Sequence, residues 1–243
     1  MTACEDAKIG RSVLRTGENG GARLVCVPFS GATSRAYRPL VRALPPDWSV
    51  VAGSHRSAGI NPDVRTLAEY YLETLASDLR GPVILFGHSM GAMVAYRMAR
   101  ILGGGQPGML LVLSAPPTTF PGWHLLPDSG LVAVARSFGL VTPTVTDDVL
   151  TRFVLPPLRF DLTVASVDWQ DPVPAGCPTY VLTGEGDDTT SPEGLRELAT
   201  SLGALGVTII PGEHMFVSTN PTDTARALVR IATPGPGQPP TRR

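Results

Sequence analysis

The stretch Gly87-His88-Ser89-Met90-Gly91 decides the predicted fold, because it joins two segments of different periodicity. It follows the apolar run 83–86, which is typical of a buried strand, and it opens the helix-like segment 90–102. A serine with glycine two positions before and after it fits a sharp strand-to-helix turn that exposes the hydroxyl. Such a turn is a nucleophile elbow, so Ser89 is the predicted nucleophile.

Strand-like and helix-like segments alternate on both sides of this turn. Strand patterns lie at 23–28, 48–52, 109–114, 178–183 and 207–210, and helix patterns lie at 35–44, 63–79, 192–202 and 221–231. Regular alternation of this kind builds parallel sheets. We therefore expect an α/β fold with a mostly parallel central sheet flanked by helices.

The segment between the strand patterns 109–114 and 178–183 is too long for a simple crossover. It is rich in proline and contains short amphipathic stretches. Residues 116–170, called the insertion below, are therefore predicted to form a helical lid within a single α/β domain, 1–232. The tail 233–243 is rich in proline and glycine and is predicted to be disordered.

Composition argues against several classes of function. Lys and Arg total 20 against 21 Asp and Glu, and the net charge of −1 offers no electrostatic footprint for nucleic acid or an anionic membrane. The three widely spaced cysteines, Cys4, Cys26 and Cys177, fit neither a disulfide framework nor a metal site. The first twenty residues lack an apolar signal core, so we expect a cytoplasmic protein, and we expect it to be a monomer.

A serine hydroxyl needs a general base and a third group that orients this base. His214 is the predicted base, because it lies in the loop directly after the last strand pattern. His88 adjoins the serine, but neighbouring side chains diverge on such a turn, and His124 lies in the insertion. Asp187, in a glycine-containing loop after the preceding strand, is the predicted acid, and Asp188 remains an alternative.

The chain order Ser89, Asp187, His214 is that of α/β-hydrolases. Acyl transfer in such a site also requires hydrogen-bond donors for the oxyanion of the tetrahedral intermediate. The Met90 N–H, directly after the nucleophile, is the first predicted donor. The second has to come from another loop, where the Ser30 N–H is the leading candidate and the Phe29 N–H is next. An ordinary glycine-containing turn is the alternative for that loop.

With these residues in place, the chain resembles the type II thioesterases, the stand-alone editing enzymes of modular polyketide synthases and nonribosomal peptide synthetases. The matching pieces are 26–32, 37–40, 44–46, 86–92, 125–128, 155–161 and 212–216. The resemblance implies that Ser89, Asp187 and His214 form a triad and that the loop 29–32 supplies an oxyanion donor. It also implies hydrolysis of acyl groups from the phosphopantetheine arm of carrier-protein domains, without a cofactor of the enzyme's own.

One loop departs from the family pattern. Where the family has a Pro-Gly-Arg-like turn, this chain reads Gly53-Ser54-His55-Arg56-Ser57. The loop is expected near the mouth of the active site. His55 is therefore a candidate substrate contact, with an exposed loop histidine as the alternative. Phe29 and Met215 are further candidates for contact with the substrate.

Other functions stay open at this point. The same triad could pass the acyl group to an alcohol or amine, as an acyltransferase or cyclase does, or it could act on oxygen esters as a general carboxylesterase. A catalytically silent module that binds synthase proteins through the insertion is the alternative from a different class. The complete set of triad residues argues against the silent module.

Overall fold

The computed structural model describes residues 10–17, 20–55, 61–103, 106–142, 144–166, 169 and 172–233. Cys4, Arg56 and Ser57 lie outside the described residues, as does the predicted disordered tail from residue 234 onwards.

In the described part of the chain, seven strands form one sheet. They are β1 (Gly10–Arg15), β2 (Arg23–Val27), β3 (Ser49–Ser54), β4 (Val83–His88), β5 (Met109–Ser114), β6 (Thr179–Gly184) and β7 (Gly206–Ile210). Their order is β1-β3-β2-β4-β5-β6-β7, and the pairing of β1 with β3 is antiparallel while the others are parallel. The predicted α/β fold with a mostly parallel sheet is confirmed.

Helices cover both faces of this sheet. They are α1 (Arg38–Ala43), α2 (Val64–Leu75), α3 (Met90–Ile101), α4 (Asp128–Ser137), α5 (Asp147–Val149), α6 (Leu155–Ala165), α7 (Pro192–Ser201), α8 (Phe216–Thr219) and α9 (Pro221–Ala232). Side chains of the central strand β4 alternate between the faces: Val83 and Leu85 pack with α2 and α3, whereas Ile84 and Phe86 pack with α1 and α9. Because both faces are covered, all of β4 is buried, which makes it a rigid support for the elbow at its end.

Two elements differ from the sequence-based expectation. The strand β1 was not expected, because its side chains alternate between half-buried and exposed and include the polar residues Arg11 and Ser12. As an edge strand it needs little apolar surface. The helix predicted at 63–79 ends at Leu75, and the turn that follows brings Asp78 to an ion pair with Arg11 at 2.6 Å.

The insertion lies after β5 and contains α4, α5 and α6, together with a 3-10 turn at Trp123–Leu125 and a π-helical turn at Leu150–Val154. It has a small core of its own, formed by residues such as Leu131, Leu150 and Leu155. The end of α6 also packs into the main core through Val164 and Ala165. The insertion is thus anchored to the domain most firmly through its last helix. No helix in the described ranges combines the length and the apolarity needed to cross a membrane.

Candidate active site

The elbow places Ser89 between the end of β4 and the start of α3. Its backbone has φ 54° and ψ −124°, a conformation that is strained for a residue with a side chain. The Ser89 amide donates a 2.8 Å hydrogen bond to the carbonyl oxygen of Ser114, at the end of the neighbouring strand β5. The turn therefore holds the Ser89 hydroxyl above the carboxyl end of the sheet.

Glycine at 87 and 91 permits this turn because the backbone on either side approaches very closely. A Cβ on Gly87 would overlap the carbonyl group of Gly91, and a Cβ on Gly91 would overlap the carbonyl oxygens of Val27 and Pro28. The first turn of α3 thus lies directly against the end of β2. This contact brings the Met90 amide close to the loop that follows β2.

Ser89, His214 and Asp187 form a continuous hydrogen-bond chain. The Ser89 Oγ lies 2.9 Å from His214 Nε2, and His214 Nδ1 lies 3.0 Å from both carboxylate oxygens of Asp187. With the proton on Nδ1, next to the carboxylate, Nε2 is free to accept the serine proton. Asp187 is buried, whereas the alternative acid Asp188 is exposed and has no contact with His214 among the described hydrogen bonds.

Thr189 holds the Asp187 carboxylate in place. Its amide and hydroxyl donate hydrogen bonds of 3.0 and 2.7 Å to Asp187 Oδ1. Burial raises the pKa of Asp187, but the hydrogen bonds and charge of His214, with the hydrogen bonds from Thr189, outweigh burial and lower the pKa below its ordinary value. Asp187 is thus kept ionised as the partner of His214. Sequence reasoning missed Thr189, although a threonine two residues after an aspartate in a turn is a known hydrogen-bonding pattern.

His88 lies behind His214 and is fully buried. Its Nδ1 is 2.9 Å from the hydroxyl of Ser114, and its ring centre is 5.4 Å from that of His214. Burial lowers the pKa of His88 well below its ordinary value, and the nearby His214 lowers it further. A neutral His88 therefore supports the His214 ring without placing a second positive charge beside it.

The loop 29–32 after β2, called the oxyanion loop below, forms a tight turn. The Ala32 amide donates to the Phe29 carbonyl at 3.0 Å, and Gly31 adopts φ 73° at the third position of the turn, which favours glycine. The Gly31 amide donates to Asp161 Oδ2 at 2.7 Å, so the Ser30 amide remains the leading donor candidate. The Ser30 hydroxyl oxygen is buried and has no hydrogen-bond partner among the described residues.

A pocket of about 470 Å³, counted with its open mouth, leads to Ser89 and His214. The oxyanion loop contributes Phe29 and Ser30 to its wall, and the His214 loop contributes Met215. The insertion supplies most of the remaining wall, including Phe120, Trp123, Phe138, Leu140, Leu158 and Leu162. Because these side chains are apolar, the pocket suits an uncharged hydrocarbon chain.

His55 is neither an exposed loop residue nor part of the pocket wall. Its side chain is only 3% exposed, with Nε2 at 2.7 Å from Asp161 Oδ1 and Nδ1 at 2.7 Å from the hydroxyl of Tyr71. Both expectations for His55 are therefore corrected. The sequence pattern could not reveal this arrangement, because Asp161 lies 106 residues further along the chain.

The described residues offer neither a reactive thiol nor a metal site as an alternative to the triad. Cys26 and Cys177 are free thiols, and burial raises the pKa of both, that of Cys177 to about 11, so neither is a ready thiolate nucleophile. Among the residues that the structure describes, no group of three or more His, Cys, Asp or Glu side chains is arranged to hold a metal ion.

Known proteins resemble this chain in both sequence and structure. A sequence profile of the thioesterase domain family matches residues 22–231. The "Probable cadicidin biosynthesis thioesterase" of Streptomyces griseus is 31% identical over 229 residues, which cover 87% of this chain and 63% of that protein. The chain thus spans less than two thirds of that relative's length.

Solved structures share this fold, BorB and RedJ among them. BorB, a type II thioesterase from the borrelidin biosynthetic cluster, superposes with a TM-score of 0.76 at 26% identity, covering 92% of this chain and 97% of BorB. RedJ, a thioesterase from the prodiginine pathway of Streptomyces coelicolor, superposes with a TM-score of 0.72 at 29% identity, covering 87% and 89% of the two chains. These matches confirm the predicted resemblance. The chain belongs to the thioesterase domain family, with the fold of the α/β-hydrolases.

Proposed function

We propose that this protein is a serine thioesterase that hydrolyses acyl groups from the phosphopantetheine arm of carrier proteins in polyketide or nonribosomal peptide biosynthesis. The observation that carries the proposal is the hydrogen-bond chain from Ser89 through His214 to Asp187 beside an apolar pocket. Membership of the thioesterase domain family supports the reaction type. The biosynthetic relatives support the substrate class.

In the first half of the reaction, His214 Nε2 takes the proton from Ser89 as the oxygen attacks the thioester carbonyl carbon. The carbonyl oxygen becomes an oxyanion, which accepts hydrogen bonds from the amides of Met90 and Ser30. Met90 is well suited as a donor, because amides in the first turn of a helix lack an acceptor within the helix. The C–S bond then breaks, and His214 returns the proton to the departing pantetheine sulfur.

In the second half, water replaces the thiol in the same geometry. His214 takes a proton from water as its oxygen attacks the acyl-serine ester, and the same amides stabilise the second oxyanion. Collapse of this intermediate breaks the bond to Ser89 Oγ, which regains its proton from His214. The products are a free carboxylic acid and the original enzyme, and the sequence of steps uses no cofactor.

The insertion, residues 116–170, is proposed to act as a lid over the acyl chain in the single domain 1–232. Most of the pocket wall comes from this segment, so we expect part of it to move when the pantetheine arm enters. Phe29 and Met215 are proposed to contact the acyl chain from the opposite side. The protein is further proposed to act as a monomer in the cytoplasm, where the free thiols Cys26 and Cys177 would stay reduced.

The central experiment treats a panel of acyl-loaded carrier proteins with the enzyme and follows them by intact-protein mass spectrometry, with identification of the small products. We expect acyl groups to leave as free acids and Ser89→Ala to abolish the reaction while leaving thermal unfolding unchanged. Ser201→Ala, which alters an exposed serine at the end of α7, is the matched control and should react at the wild-type rate.

Each alternative function gives a different outcome. Esters or amides instead of free acids would indicate an acyltransferase or cyclase, and turnover of simple oxygen esters alone would indicate a carboxylesterase. If Ser89→Ala kept the wild-type rate, the triad proposal would be wrong. A wild-type protein that fails to react with a fluorophosphonate probe would favour the silent interaction module.

A further inference from the structure

Asp161 connects the insertion to the oxyanion loop through a buried network. It lies on α6, its side chain is 3% exposed, and its two oxygens have different partners. Oδ2 accepts the 2.7 Å hydrogen bond from the Gly31 amide, and Oδ1 lies 2.7 Å from His55 Nε2. His55 in turn contacts the hydroxyl of the fully buried Tyr71. The network thus joins α6, the oxyanion loop, the end of β3 and α2.

The position of Asp161 on its helix is unusual for a carboxylate. Leu158, Asp161, Leu162 and Ala165 are spaced by three and four residues, so they lie along one stripe of α6. The three apolar members of this stripe line the pocket, whereas Asp161 does not. A carboxylate buried in an apolar stripe is costly unless its oxygens are hydrogen-bonded. Here the Gly31 amide and the His55 ring supply those hydrogen bonds.

The contact with Gly31 restricts the shape of the oxyanion loop. The turn is closed at one end by the hydrogen bond from Ala32 to Phe29, and the amide of its third residue, Gly31, is held by a charged acceptor. Leu158 packs against the same glycine, since a Cβ there would approach its side chain to 3.1 Å. The Ser30 amide lies between these fixed points. The Phe29–Ser30 peptide, which carries this amide, is held by the turn, and α6 holds the next peptide of the same turn.

We propose that Asp161, supported by His55, is a positioning residue that fixes the oxyanion loop for catalysis. The inference rests on the proposed function, because it assigns the Ser30 amide to the oxyanion. Asp161 and His55 do not line the pocket, so they act through the loop and not on the substrate. The last helix of the insertion then has two roles, since it forms part of the acyl pocket and also stabilises the transition state indirectly.

The kinetic test compares Asp161→Ala with Asp161→Asn on an acyl-pantetheine thioester. Loss of one oxyanion donor typically lowers kcat by about 10²- to 10³-fold, so we expect Asp161→Ala to lower kcat by about 10²-fold with little change in KM. Asp161→Asn keeps an oxygen that can accept from Gly31 and should recover most of the loss. Asp78→Asn is the matched control, because it weakens another buried carboxylate pair, with Arg11, and the described hydrogen bonds of Asp78 do not involve the oxyanion loop.

A second readout does not depend on turnover. The Gly31 amide proton, bonded to a carboxylate, should resonate downfield in the wild type and move upfield in Asp161→Ala. Binding of an alkyl trifluoromethyl ketone, which forms a tetrahedral adduct with serine, should weaken in parallel with kcat. If Asp161→Ala fails to fold, Asp161→Asn and His55→Gln are compared with the wild type instead. We expect smaller losses in kcat for these variants, and the variant with the larger shift of the Gly31 resonance should show the larger loss.

A wild-type kcat in a folded variant whose Gly31 resonance has moved would overturn the positioning role. An equal loss in kcat for Asp161→Ala and Asp161→Asn, together with unchanged trifluoromethyl ketone affinity, would overturn it as well. Both results leave the proposed function intact, provided that Ser89→Ala is inactive. Activity in Ser89→Ala would instead show that the proposed function has failed.

Discussion

Asp187 and Asp188 are adjacent in the chain but have opposite surroundings. Asp187 is buried against His214, whereas Asp188 is exposed. We expect Asp187→Asn to lower kcat by about 10⁴-fold, because an amide does not hold the catalytic tautomer of the histidine, as in triad proteases. Asp188→Asn, the matched control, should keep the wild-type kcat. Steady-state kinetics on an acyl-pantetheine thioester measures both, and a reversed order would assign the acid to Asp188.

The hydroxyl of Thr189 is the subject of a second prediction about a single side chain. Replacing it with valine removes a hydroxyl that donates to Asp187 while nearly preserving the side-chain shape. A hydrogen bond to a charged group contributes about 1.5–3 kcal/mol to stability, so Thr189→Val should lower the free energy of unfolding by about that amount. We also expect a lower kcat, because the carboxylate that orients His214 is held less firmly. Thr200→Val, at an exposed position on α7, serves as the control. An unchanged kcat in Thr189→Val would mean that the Asp187 carboxylate is held without this hydroxyl.

The contact between α3 and β2 depends on a glycine. A Cβ at Gly91 would overlap the carbonyl oxygens of Val27 and Pro28, so Gly91→Ala has to push the helix away from the strand. We expect a loss of about 1–3 kcal/mol in the free energy of unfolding, the usual cost of overpacking, together with a lower kcat. Gly130→Ala in α4 is the control, since its neighbour there is the flexible side chain of Leu126. Urea unfolding measures both variants.

The helices of the insertion should differ in mobility. α6 is joined to the main core by Val164 and to the oxyanion loop by Asp161, whereas α4 packs mainly within the insertion. We expect amide hydrogen exchange to be faster in residues 121–154 than in α3, and α6 to be as protected as α3. Uniform protection of the whole insertion would contradict the proposed lid, and fast exchange in α6 would contradict its anchoring role.

Stability of the whole molecule should depend on pH through two groups with lowered pKa values. Burial lowers the pKa of His88 below its ordinary value of 6.5, so the unfolded chain binds more protons than the folded one below that pH. The free energy of unfolding should therefore decrease as pH falls from 6.5, by up to about 1.4 kcal/mol per pH unit. The pKa of Asp187 is also lowered, so its hydrogen bonds with His214 and Thr189 add a second loss of stability as pH falls below the ordinary aspartate pKa of 3.8.

Urea unfolding at pH 8.0, 6.5 and 5.5 measures the first of these losses. We expect His88→Asn to be less stable than the wild type at pH 8.0, because the packed ring is lost, but to show a shallower decrease between pH 6.5 and 5.5. Equal slopes for the two proteins would indicate that His88 does not remain neutral in the fold.

The sequence predicted those features that depend on local pattern. The run at 109–114 is a buried strand because all of its side chains except that of Ser114 are apolar. The elbow was recognisable because a Cβ at Gly87 or Gly91 would overlap neighbouring backbone, so the turn requires glycine at both positions. The hydrogen-bonded set of Ser89, Asp187 and His214 followed from chain order. The contacts of His55 and Asp161 could not be predicted, since they depend on how the insertion folds back on β3. The strand β1 was missed because an edge strand carries a weak apolar pattern.

The hydrogen bond between Asp161 and Gly31 has a consequence for engineering of chain-length preference. Exchanging the whole insertion with that of a relative, as a cassette, would replace the acyl pocket but would also remove the carboxylate that meets Gly31. Chimaeras whose junction lies just before α6 would keep that hydrogen bond. They would still replace the part of the pocket wall that contains Trp123 and Phe138. Recombination breakpoints before residue 155 should therefore yield active hybrids more often than breakpoints beyond residue 165.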